Sequence, residues 1–113
     1  MVLRRELPEG VVEQMHDRQR RVVVLPEGTM KHIARRRPEM DGCEMAIKAA
    51  VESAVDRCYG RKDGQRIEER EILFAKKLGP GPWLAVVVAY EGDRGTVITA
   101  YADRNGPREA DRI

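Results

Sequence analysis

A chain of 113 residues is long enough for one compact core and too short for two ordinary domains. Hydrophobic residues at 42% and charged residues at 35% exclude global disorder, and a net charge of +2 is too small by itself to mark a nucleic-acid binder. The longest apolar run, Trp83 to Tyr90, is far short of the ~20 residues a membrane-spanning helix needs. Charges at Arg4, Arg5 and Glu6 stand where a signal peptide needs its apolar stretch, so a cytoplasmic location with no membrane partner is expected.

Residues 1–20 carry Val11, Val12 and Met15, which suit either one face of a short helix or the start of a strand, and both assignments stay open. The main domain is placed at 21–103. Arg21 to Leu25 holds three consecutive valines and stops at Pro26-Glu27-Gly28, the pattern of a strand ended by a turn. Thr29 can then cap a short helix to about Arg36, because Pro38 disfavours helical geometry at Arg37. Its apolar side carries Met30, Ile33 and Ala34, while His32 and Arg36, four apart, share another side. In the second helix Cys43, Ala46, Ile47, Ala50, Val51, Ala54 and Val55 repeat at helical spacing, with Asp41 and Glu44 resembling a capping box.

Strands are then expected over Arg57 to Arg61 and Arg66 to Lys76, joined through Asp63-Gly64, a strong hairpin signal. Gly79-Pro80-Gly81-Pro82 breaks the chain before Trp83 to Tyr90, which reads as a central strand buried on both faces. Glu91 to Gly95 supplies a turn and Thr96 to Ala102 the last strand, so Trp83 to Tyr101 forms a β-hairpin. Beyond Asp103 the chain is polar and contains Gly106-Pro107, which predicts a loosely held tail over 104–113. The expected fold is α+β: an N-terminal strand, two helices, then a four-stranded antiparallel β-meander with the helices packed on one face.

Period-two alternation in the last strand puts Val97, Thr99 and Tyr101 on one face and Ile98, Ala100 and Ala102 on the other. A hydroxyl and a phenol two residues apart reach a common ligand, although Thr and Tyr are also simply good strand residues. Histidine is the side chain suited to proton transfer near neutral pH, and His32 sits among Lys31, Arg35, Arg36 and Arg37, a cluster that is equally a solvated helix face. Cys43 and Cys58 lack CxxC spacing and read as inert reduced thiols. No phosphate-binding glycine loop, HExxH, GxSxG or carboxylate cluster occurs, so no cofactor or metal is expected.

Together Lys31-His32-Ile33-Ala34-Arg35-Arg36-Arg37-Pro38-Glu39 resembles the H-I-x-x-R-H-P-E helix end of the phage and bacterial barnase/EndoU/colicin/RelE-like (BECR) nuclease superfamily. Trp83-Leu84-Ala85-Val86-Val87-Val88 with Gly95-Thr96-Val97-Ile98-Thr99-Ala100-Tyr101 resembles its closing hairpin, and the likeness spans about Val22 to Tyr101. The resemblance implies a metal-independent, toxin-like ribonuclease acting by 2′-hydroxyl attack to leave a cyclic phosphate. It places His32, Arg36, Thr99 and Tyr101 as catalytic residues, with Arg35, Arg37, Arg70 and Lys76 on RNA phosphates. The family's next histidine is replaced here by Arg37. Implied partners are RNA, such as tRNA or ribosome-associated mRNA, and an antitoxin or immunity protein. Two further readings remain open: a non-catalytic relative that binds a protein, and an assembly domain forming a homo-oligomer through the Trp83 strand and the N-terminal segment.

Overall fold

The computed structural model describes residues 7–76 and 81–113; the expected break at Gly79-Pro80 and the charges of the first six residues lie outside them. The chain runs β1 (Val11–His16), β2 (Val22–Pro26), α1 (Glu27–Arg36), α2 (Glu44–Ser53), β3 (Asp56–Lys62), β4 (Gln65–Lys76), β5 (Trp83–Glu91) and β6 (Arg94–Asp103), with short 3-10 turns at Pro38–Met40 and Glu109–Asp111. None of its described helices is long and apolar enough to cross a membrane.

The strands form one six-stranded sheet in the order β1-β2-β6-β5-β4-β3. This corrects the expected four-stranded meander with a separate N-terminal strand. β3 to β6 do pair antiparallel in succession, but β2 joins them by a parallel pairing of Val22–Val24 with Arg94–Thr96, and β1 pairs antiparallel outside it. The α+β class stands. The parallel contact was hidden because α1, α2 and three strands separate its partners in sequence, and β1 because Glu13 and Gln14 interrupt its apolar residues.

The two-residue turns follow the chemistry of their residues. Asp63 and Gly64 both adopt positive φ, 52° and 77°, which matches the twist of the β3–β4 hairpin. Neither helix uses the expected caps: α1 begins after Pro26 and α2 after Cys43, both without a side-chain cap, so Thr29 and the Asp41/Glu44 pair do not serve as one. Val55 falls beyond α2 and is exposed.

Both helices pack on one face of the sheet. Met30 and Ile33 of α1 and Ile47, Ala50 and Val51 of α2 bury against Leu25, Leu73, Val86, Val88 and Val97. Fully burying a Val or Leu contributes roughly 1.5–3 kcal/mol, so the unexposed Val86, Val88 and Val97 strongly fix the β5–β6 register. That register contains a bulge: Val87 pairs with Thr99 but Val88 with Val97, which leaves Ile98 extra. The bulge resets the alternation, so Val97 faces the helices with Ala100 and parts from Thr99 and Tyr101, against the simple period-two expectation.

The helix-free face carries a smaller cluster of Cys58, Phe74 and Ala85, bordered by Ile72, Trp83 and Tyr101. The C-terminal segment, expected to be loose, docks there. Gly106 is buried against the Trp83 indole, and Cys58 Sγ donates to the Arg108 carbonyl at 3.6 Å. Arg61 grips buried Asp111 at 2.7 Å, Arg112 reaches Asp56 at 2.9 Å, and the Ile113 N–H donates to Arg57 at 3.0 Å. A strap therefore crosses from the end of β6 to β3 and covers part of that exposed sheet edge.

Candidate functional site

β2 borders β6 only as far as Thr96, and α1 packs against β6 as the chain turns back. Pro38 ends α1, and the Arg37 N–H still donates to the Ile33 carbonyl at 2.8 Å, which fixes Arg37 as the last ordered turn. From there its guanidinium reaches over the Tyr101 ring, 5.6 Å from the centroid. Two expected site residues from distant parts of the sequence thus meet at one edge of the helix-free face.

Burial pushes the Tyr101 phenol up from its ordinary range, and Asp103 adds to the effect, while Arg37 opposes it. The phenol is therefore a neutral hydrogen-bond donor at physiological pH. Thr99 lies two residues along β6 on the same face, paired with Val87. The Arg37 guanidinium over the Tyr101 ring, with the Thr99 hydroxyl about 7 Å along the same strand face, offers charge-assisted hydrogen bonds to an anionic oxygen.

The remaining expected residues are less closely gathered. His32, Arg35 and Arg36 are exposed on α1, and the His32 imidazole makes no side-chain hydrogen bond with a described residue. Arg35 and Arg36 also lie in the last turn, where cations complement the helix dipole. Arg70 pairs with Ala89, four residues along β5 from the partner of Tyr101, hence roughly 13 Å away along the strand. Lys76 pairs with Trp83 at the opposite end of β5.

Sequence reasoning missed the cleft beside Tyr101. About 230 Å³ lies between the strap and the sheet, lined by Phe74, Tyr101, Asp103 and Gly106 together with Arg61, Arg108 and Asp111, the two arginines pairing with the aspartate. It had no signature, because its walls come from β3, β4, β6 and a segment that read as a tail. Asp111 in the strap is held below its ordinary carboxylate value, first by its hydrogen bond from Arg61, with burial opposing. Burial pushes the Cys58 thiol up.

A second polar cluster closes the other end of the core. Arg21 donates to both Glu71 oxygens, at 2.7 and 2.9 Å, and through Nε to Asp17 at 2.7 Å, while its guanidinium lies 3.7 Å over the Tyr90 ring. Tyr90 donates its hydroxyl to Asp17 at 2.7 Å and Arg57 donates to Glu71 at 3.0 Å. Every buried side-chain polar atom among the described residues has a partner, so this cluster reads as a satisfied structural network.

No protein-family model matches the chain, and no curated protein or solved structure does either.

Proposed function

We propose that the protein is an endoribonuclease needing no metal, with the Arg37–Tyr101 edge as its phosphate grip. The observation that supports this most is the Arg37 guanidinium lying over Tyr101, with Thr99 two residues along the same strand face. Such a grip is suited to a phosphodiester, whose charge rises as a fifth oxygen approaches phosphorus. In this reading the RNA 2′-oxygen attacks the adjacent phosphorus and the P–O5′ bond breaks. The products are a 2′,3′-cyclic phosphate and a 5′-hydroxyl.

His32 takes the 2′-hydroxyl proton or supplies one to the 5′-oxygen, and Arg36 and Arg35 add positive charge along the same helix end. Thr99 and the neutral Tyr101 phenol orient the phosphate. Arg37 occupies the place of the family's second histidine and takes a phosphate-binding part there. The test is cleavage of a defined RNA with chelator present. His32→Ala should lose about 10²–10⁴-fold, the usual contribution of positioned acid–base catalysis. An unchanged rate in that variant, or activity abolished by chelator, counts against the proposal.

The exposed, unpartnered position of His32 favours a second reading, a non-catalytic relative that binds RNA or a protein through the same edge. It predicts Arg37-dependent binding without a cyclic-phosphate product. An antitoxin or immunity protein covering that edge belongs to either reading.

A further inference from the structure

The cleft under the C-terminal strap adjoins the phosphate grip and shares a wall with it, because Tyr101 both stacks with Arg37 and lines the cavity. Its 230 Å³ exceeds the ~150 Å³ that accommodates one benzene ring, leaving room for a single six-membered ring with substituents. Phe74 and Tyr101 supply aromatic surface, of the kind on which nucleic-acid bases stack. Asp103 supplies a directional acceptor: one oxygen takes the Asn105 N–H at 2.9 Å, and the other has no hydrogen bond from a described residue. Arg61 and Arg108 are tied to Asp111, which keeps the strap closed over the cavity.

We propose that this cleft is a base subsite for an amino-bearing pyrimidine, cytosine, joined to the phosphate held at Arg37. The subsite rests on the proposed RNA-binding role of that edge. Asp103 then accepts from the cytosine exocyclic amine, as carboxylates do when they read that base, whereas uracil presents a carbonyl oxygen that the carboxylate repels. The ring lies against Phe74 and Tyr101 and its phosphate projects toward Arg37. Gly106 positions the strap, since a β-carbon there would run into the Trp83 indole.

Cytidine and uridine 5′-monophosphates are titrated into the full chain, followed by the fluorescence of Trp83, its only tryptophan. Cytidine monophosphate should bind about tenfold more tightly than uridine monophosphate, within the range of one base-reading contact. Asp103→Asn, which can donate to the uracil carbonyl, should reverse the preference, while Arg37→Ala weakens both nucleotides alike. Equal affinities in wild type, or a preference untouched by Asp103→Asn in a folded variant, would overturn the subsite. Cytosine selectivity without RNA cleavage keeps the subsite and removes the nuclease. Cleavage with no Asp103-dependent preference does the reverse.

Discussion

Glu71→Ala is the most informative stability perturbation, because it removes the acceptor shared by Arg21 and Arg57. The Glu71 side chain is only 9% exposed, and the Arg21 and Arg57 side chains it leaves are 19% and 20% exposed. Breaking a buried ion pair by deleting one partner costs about 3–5 kcal/mol. Arg21 keeps its 2.7 Å contact to Asp17, and both guanidiniums can regain some water, which places the loss near the lower end, about 3 kcal/mol. At roughly 4 °C per kcal/mol for a domain of this size, the midpoint should fall by about 12 °C. Thermal and urea denaturation followed by circular dichroism measure the midpoint shift and the free-energy change, with Glu52→Ala in the more exposed Lys48–Glu52 pair as a control expected to lose under about 1 kcal/mol. If Glu71→Ala and the control lose the same amount, the buried Arg21–Glu71–Arg57 network stabilises the fold no more than a surface ion pair.

Burial works to raise the Asp17 carboxyl, but Tyr90 and Arg21 outweigh it and hold its pKa below the ordinary value. The unfolded chain therefore binds more protons near pH 4, so this stabilisation is present above roughly that pH and is lost as pH falls through the folded value. Asp17→Asn should flatten the acid limb of the stability profile, measured by urea midpoints across pH; an equally steep limb contradicts the assignment. Gly106→Ala, at φ 67° and against Trp83, should displace the strap, with a loss of about 1–3 kcal/mol and a shift in Trp83 emission. Unchanged emission and stability would show that the strap does not lean on the indole. Cys58 should resist alkylation near neutral pH until unfolding, because burial raises its thiol pKa; mass spectrometry finding it modified first in native protein would refute this.

What could be read in the sequence had local causes. The β5–β6 hairpin was legible because an apolar run meets a Gly92 turn, and α2 because its apolar residues recur at helical spacing. What could not be read depended on distant partners or on broken periodicity. The β2–β6 parallel pairing leaves no local mark, and the bulge at Ile98 reverses the face of Val97 without any glycine to announce it. In the candidate site, Arg37 and Tyr101 do meet as neighbours, whereas Arg70 stands well along the sheet and His32 stays in solvent. Asp103, Gly106 and Asp111 were not legible as cleft residues, because a charged, glycine-containing terminus looks the same whether it docks or dangles.

The central claim, that an RNA phosphate is gripped where Arg37 meets Tyr101, is tested most directly by single-turnover cleavage of a short defined RNA in chelator, comparing wild type with Arg37→Ala. Wild type should give a 2′,3′-cyclic phosphate product, and the variant should be slower by about 10²–10³-fold, the scale of removing one donor from developing charge. Equal rates in the two proteins, or folded wild type that leaves the RNA intact, would contradict it.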